Sequence, residues 1–388
     1  MDKKPEKLVP EVRFKGFTDD WEQRKLKTVV LVNSGKDYKT LEEGNIPVYG
    51  TGGYITSVSK FLSNQDAIGL GRKGTINKPY ILKAPFWTVD TLFYLTLKPE
   101  NILTFIYSLI QKINWLKYDE STGLPSLSKK NIENVLVYLT KLDEQQKIGK
   151  LIVKLDKLIT LQQRKLELLK QLKKAMLQQL FADKNSKQPN LRFKKFKGDW
   201  EQRKLGTVGK TQSGIGFPNK EQGGQKGVPF FKVSDMNNNG NEFEMTTSNN
   251  YVTEQQIISK KWKTITKVPA VIFAKVGAAL MLNRKRLVTV PFLIDNNTMA
   301  YMFSKNWDPY FGKVLFDTLN LPKYAQTGAL PSFNGSDIEN IKVMFPNQVE
   351  QQIIGCFFES INGLITHQQN RLTQLTALKK YLLQKLFI

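Results

Sequence analysis

The sequence has one cysteine, Cys356, and one histidine, His367, in 388 residues. A lone cysteine excludes an internal disulfide and any zinc site built on cysteine pairs, and a lone histidine leaves no histidine-rich metal site. No stretch reaches the roughly 18 apolar residues that a membrane span needs. The opening MDKKPEKLVP carries charges and no apolar run, so no secretory signal is expected and a reducing cytoplasm is the natural setting. Acidic residues are also scarce: 34 Asp and Glu stand against 58 Lys and Arg, a formal charge of +24. A charge of that size attracts polyanions over long range, which makes DNA or RNA the leading partner and an acidic protein the alternative.

What is present is a globular chain with 40% hydrophobic and 11% aromatic residues, long enough for two or three domains. It is written twice. VRFKGFTDDWEQRKL, ending at Leu26, returns as LRFKKFKGDWEQRKL, ending at Leu205, with 11 of 15 positions identical. A second repeat starts at LPS (Leu124 and Leu330) and runs through IEN, EQQ, LIT, a glutamine pair and LF, with 26 identities in 58 ungapped positions. The offset between copies is 179 residues for the first repeat and 206 for the second, so the second copy has gained 27 residues in between. The order is a short motif, a divergent body and a helix-like segment, and then the same order again.

The helix-like segment in the first copy has Ile148, Leu151, Leu155, Leu158, Gln162, Leu169, Leu172 and Met176 at three-four spacing. Leu166 and Leu180 widen this apolar stripe, Gly149 is its lone glycine, and no proline falls between Lys141 and Ala182. A helix of about 40 residues spans roughly 60 Å, and this heptad pattern is that of a coiled coil. The second copy repeats it with Ile354, Ile361, Leu364, Gln368, Leu375, Leu378 and Leu382. Glutamine occupies the same register in both helices, where it either meets its counterpart and sets register or faces solvent. The divergent bodies, about Lys27 to Thr140 and Gly206 to Pro346, hold short β-like runs such as IPVYG, DTLFYLTL, GVPFFKV and AVIFAKV. They read as diverged copies of one strand-rich mixed fold. The chain as a whole is therefore an intramolecular pseudo-dimer, with antiparallel pairing of its helices related by a pseudo-twofold axis.

Catalytic signatures are weak. GTGG (Gly50–Gly53) lacks the Lys-Ser/Thr of a phosphate-binding loop. GLGRKG (Gly69–Gly74) has dinucleotide-type glycine spacing, but two prolines and no helical period follow it. It reads better as a glycine-flexed loop that offers Arg72 and Lys73 to a polyanion, or as an ordinary solvated turn. AKVGAAL in the second body, with Lys275, and Asn283, Arg284, Lys285 and Arg286 close behind, is its expected counterpart; Lys36 and Lys78 complete the candidate DNA contacts. NKPY (Asn77–Tyr80) is similar to the catalytic N-P-P-Y of DNA amino-methyltransferases, yet has Lys for the first Pro and no glycine-rich cofactor loop upstream. In the DWEQRKL motif, Phe14, Phe17, Trp21 and Leu26 are expected to pack. No catalytic residue and no metal ligand is assigned, so the chain reads as a recognition protein. A stand-alone nucleic-acid methyltransferase or nuclease with an unrecognised site is the alternative.

Two divergent bodies, each introduced by RFxxFxxDWEQRKL and closed by LPS…IEN…EQQ leading into a long helix, resemble the specificity subunit of a type I restriction-modification enzyme. The resemblance covers essentially the whole chain, with Thr140 where Pro346 supplies the family's junction proline in the second copy. It implies an α+β protein: two strand-rich target-recognition domains joined by two long antiparallel coiled-coil helices. The expected divisions are 1–140 and 189–346 for the recognition domains, 141–188 for the first helix and linker, and 347–388 for the second helix. It also implies that each domain reads one half of a bipartite double-stranded DNA site. The helix residues named above would pair and dock two modification (methyltransferase) subunits, and restriction subunits would join them. S-adenosylmethionine, ATP and Mg would then belong to those partners, with no cofactor on this chain.

Overall fold

A computed structural model describes residues 8–182, 186–326 and 330–388. The chain divides into two compact units, Met1–Gln163 with Arg371–Ile388, and Arg164–Asn370. Two helices of 38 residues, Leu142–Gln179 and Gln348–Lys385, each contribute to both units.

In the first unit a four-stranded antiparallel sheet has the order Val30–Ser34, Leu92–Leu97, Ala67–Gly71, Tyr80–Leu82. A three-stranded sheet has the order Gly53–Val58, Glu43–Gly50, Trp87–Thr88, and its last pair is parallel. The second unit repeats both. Its four-stranded sheet runs Gly209–Ser213, Thr298–Phe303, Ala270–Ala274, Lys285–Val288, and its three-stranded sheet Tyr251–Val252, Val228–Phe231, Leu293–Ile294. The central strands, AIGLG and AVIFA, are buried at every position, which is why they read as apolar runs rather than as alternating strands. The two bodies are one topology with different side chains.

The repeated segments are the parts that hold each body to its helices. EQRK of the opening motif is a strand, Glu22–Lys25, paired antiparallel with Leu136–Leu139; Glu201–Lys204 pairs likewise with Lys342–Phe345. Beneath it, Trp21 is buried against Phe105 and Phe387, and Trp200 against Phe181 and Phe311. Each tryptophan thus packs on the LF dipeptide that ends the other copy's helix. The EQQ motif closes the junction. Arg13 makes a two-pronged hydrogen bond to buried Glu144 at 2.7 and 2.9 Å. Gln145 accepts from the Ile102 amide and donates to the Thr140 carbonyl; Gln351 accepts from the Asp308 amide and donates to the Pro346 carbonyl. Thr140 therefore makes the same backbone contact as the proline of the second copy, and its hydroxyl also bonds Glu144. Gly149 and Gly355 occur where helix and body touch: a Cβ on either would lie 2.3 Å from Thr104 Oγ1 or Asp308 Oδ1.

In the first unit Asp156 pairs with Lys379, while Ile148 and Ile152 share a core with Leu382, Leu386 and Phe387, so the helix segments there run antiparallel. In the second unit Met176 and Leu180, late in the first helix, share a core with Ile354 and Phe358, early in the second, as antiparallel pairing requires. The buried seam passes through Ile148, Ile152, Leu155, Gln162 and Leu166, and through Ile354, Phe358, Ile361 and Gln368. Leu169, Leu375 and Met176 are half-buried in the same register. This corrects the spacing expected from sequence. Leu172, Leu364 and Leu378 are 43%, 49% and 44% exposed, and Leu151 and Leu158 are only half-buried. Apolar residues stand both three and four residues after Ile148 (Leu151 and Ile152) and Ile354 (Phe357 and Phe358), and 3.6 residues per turn sends the two choices to opposite sides of the seam. At both positions the four-residue choice is the buried one.

Candidate nucleic-acid interface

The strand Ala67–Gly71 ends where Arg72 and Lys73 cross the chain from Pro125 to Leu127. The Gly74 amide donates to the Pro125 carbonyl at 2.8 Å, and the Leu127 amide to the Arg72 carbonyl at 2.9 Å. Gly74 has φ +85°, a left-handed conformation that glycine adopts without strain. Arg72 lies over the Phe93 ring, 5.6 Å from its centroid, and Lys73 is exposed.

The second unit builds the same crossing from Lys275, Val276 and Gly277. The Gly277 amide donates to the Pro331 carbonyl at 2.9 Å, the Phe333 amide to the Lys275 carbonyl at 2.9 Å, and Gly277 has φ +78°. Lys275 is therefore the counterpart of Arg72, and Val276 that of Lys73. This corrects the expectation that Arg284, Lys285 and Arg286 form the matching cluster. Lys285 and Arg286 belong to the next strand and Arg284 directly precedes it; Arg286 opposite Ile272 corresponds to Tyr80 in the first sheet, and so Arg284 to Lys78.

Most of that cluster faces inward. Lys285 is 2% exposed and donates to the Leu319 carbonyl at 2.6 Å. Arg286 donates to the carbonyls of Lys285 and Met236. Asn283, at φ +52°, donates to the Leu319 carbonyl and accepts from the Leu321 amide. Arg284 is half-exposed and bonds Asn237. Lys313, fully buried, pairs with both oxygens of Asp317 at 2.7 Å and stands 4.5 Å from the Phe243 ring centroid. Burial lowers the pKa values of Lys285 and Lys313 to about 8 and also lowers those of Lys173 and Arg286. These cations support the second body's interior.

In the first unit the exposed lysines gather beside the end of the second helix. A groove of about 510 Å³ is lined by Asn77, Lys78, Lys112, Lys379 and Lys380 among others. Lys112 donates to the carbonyls of Phe387 and Ile388, and burial lowers its pKa. Lys78 and Lys380 are exposed, so the groove concentrates positive charge that sequence reasoning found only at Lys78. The helical recurrence of Thr376, Lys379, Lys380 and Leu383 was the available signal. Lys36 is exposed, and its carbonyl accepts from Trp87 Nε1. A larger cavity of about 790 Å³ in the second unit, beside Trp200 and Asp317, is lined by none of the candidate DNA contacts. Among the described residues no group of three or more His, Cys, Asp or Glu is placed to hold a metal ion, and no helix is long and apolar enough to cross a membrane.

Comparison with known proteins agrees with this geometry. The family model for the type I restriction modification DNA specificity domain matches the chain twice, over residues 18–171 and 176–377. The MjaVIII type I restriction enzyme specificity subunit of Methanocaldococcus jannaschii is 26% identical over 354 residues, covering 84% of this chain and 76% of that protein. The MjaIX specificity subunit of the same organism is 24% identical, covering 95% and 92%. Among solved structures, the type I restriction-modification S subunit of M. genitalium superposes with a TM-score of 0.71 at 14% identity, covering 98% and 99% of the two chains. A chain from a structure addressing complex assembly and conformational transition of the type I R-M system gives 0.54 at 15% identity, with the same coverage.

Proposed function

Because the chain belongs to the type I restriction modification DNA specificity family, we propose that each of its two bodies reads one half of a bipartite, asymmetric DNA site. The protein is the DNA-recognition subunit of a restriction-modification complex and not its catalyst. The observation that carries the two-half-site reading is one topology built twice on the same junction, with different loop side chains. Arg13–Glu144 and Arg192–Glu350 hold the two junctions alike, while Arg72-Lys73 is replaced by Lys275-Val276 at the matching crossing. A repeated scaffold with diverged loops suits two half-sites of different sequence.

The first body would approach DNA through Arg72, Lys73, Lys78 and Lys36, and the second through Lys275 and Arg284. Phosphate contacts from such side chains position the protein, and base-edge contacts select sequence. The exposed leucines off the helix seam, Leu172, Leu364 and Leu378, offer apolar surface for two modification subunits, and the helices would set the spacing of the half-sites. Restriction subunits would complete the assembly in the cytoplasm. S-adenosylmethionine, ATP and Mg would act on those partners.

The test is an exchange of residues 27–140 for the first body of another family member, followed by methylome sequencing. One half of the methylated motif is expected to change, while the other half and the spacing persist. A change in both halves together would refute one body per half-site.

A further inference from the structure

We infer that Leu124 and Leu330 are apolar wedges that enter the base stack of duplex DNA, one in each half-site; this rests on the recognition role proposed above. Both residues open the repeated LPS, and both are exposed, at 68% and 61%. A single exposed leucine is unremarked on most surfaces. These two differ in being the same residue at the same place in two bodies whose neighbouring loops have otherwise changed. Neither is buried in its own body, so each leaves apolar surface available to something outside the chain.

Each leucine also directly precedes a segment that is bonded to a cation-bearing loop. The proline that follows it, Pro125 or Pro331, accepts a hydrogen bond from the left-handed glycine of the crossing loop, Gly74 or Gly277. That places Arg72 next to one leucine's segment and Lys275 next to the other's. In the second unit a Cβ on Gly277 would stand 3.7 Å from Leu330 Cδ1, so the leucine lies against this loop. Apolar side chains such as leucine are the wedges with which proteins part a base step, and a cation on the loop bonded to the same segment can hold phosphate nearby.

The identity of the two leucines also selects among DNA contacts. A leucine that read a thymine methyl would serve one sequence, whereas the two bodies are proposed to read different ones. Unstacking is the event that both half-sites share, because a methyltransferase reaches its target base only after the base leaves the stack. Leu124 and Leu330 are thus positioning residues for the modification subunits, not catalytic ones.

The experiment uses the full chain assembled with its modification subunits. The probe is a duplex bearing the motif methylated in cells that express it, with the fluorescent adenine analogue 2-aminopurine at one position at a time. The wild-type complex is expected to raise fluorescence at one step in each half-site, since stacking quenches the analogue. Leu124→Ala removes the rise in one half-site and Leu330→Ala in the other. Methionine at either position keeps it, because the wedge needs apolar bulk. Both side chains are exposed, so unchanged melting temperatures show that the alanine variants are folded. Wild-type fluorescence at every position in both alanine variants overturns the wedge and leaves the recognition role standing. Failure of the wild-type complex to prefer this duplex over a scrambled one removes the recognition role, and the wedge with it.

Discussion

Arg192 donates through Nε and Nη2 to both carboxylate oxygens of Glu350, at 2.7 and 2.8 Å, and the carboxylate is buried. The pair joins the second copy of the opening motif to the second EQQ, as Arg13 and Glu144 do in the first. Two motifs separated by 158 residues in sequence are therefore the two halves of one lock.

Removing one partner leaves a buried charge unpaired. Arg192→Ala is expected to cost about 3–5 kcal/mol of stability, whereas Arg192→Met with Glu350→Gln costs much less because no charge is stranded. Urea denaturation of the two variants checks this. Equal losses would mean that the pair contributes only packing.

The helix seam gives a register test. Ile361 is 5% exposed and Leu364 is 49% exposed, three residues apart on one helix. Ile361→Asp buries a charge among apolar groups and is expected to unfold the second unit or lower its melting temperature steeply. Leu364→Asp is expected to leave the fold intact, within about 0.5 kcal/mol, and to weaken assembly with the modification subunit on gel filtration. Normal assembly of the Leu364 variant would remove that residue from the docking surface.

The buried lysines fix the sign of a pH effect. Lys285 and Lys313 titrate at about 8 in the folded chain because burial penalises the ammonium, against roughly 10.4 when unfolded. Between these values the unfolded chain binds more protons, so their contribution to stability rises with pH from about 8 to about 10.4 and is lost as pH falls back through 8. Asp317, Lys173, Arg286 and the Phe243 ring surround this pair. Lys285→Met with Lys313→Met is expected to flatten the rise in melting temperature over that window relative to wild type. An unchanged slope would place its origin in the surface lysines.

For the crossing loops, Arg72→Ala with Lys73→Ala is expected to weaken DNA binding by the assembled complex, as is Lys275→Ala. If the contacts are to phosphate, the slope of log affinity against log salt falls by about 0.9 per contact, equally on cognate and scrambled duplexes. If Arg72 reads a guanine, cognate binding alone loses about 1–3 kcal/mol. Lys285→Ala is expected to lower stability and not the salt slope, since its ammonium already bonds the Leu319 carbonyl. Salt titrations on both duplexes separate these outcomes.

The sequence by itself determined the duplication, the two long helices, the strand-rich bodies and the attraction to nucleic acid. Those are one-dimensional signals: identity at fixed offsets, a three-four apolar recurrence, short β-like runs between turn residues, and summed charge. They survive because each is read along the chain without reference to which residues meet in space. Tertiary structure alone decided which side of the heptad stripe is buried, since Leu151 and Ile152 are both apolar and only the groups packed on them distinguish them. It also decided that KRLV turns Lys285 inward and that Lys275, not Arg284, corresponds to Arg72. Hydrogen bonds from Gly74 to Pro125 and from Gly277 to Pro331 set that correspondence. Lastly, it placed Phe387 on Trp21 and Phe181 on Trp200, so that each helix end completes the core of the other copy's body. Burial is set by whatever the topology brings alongside a side chain, and for these residues the neighbours come from distant parts of the chain.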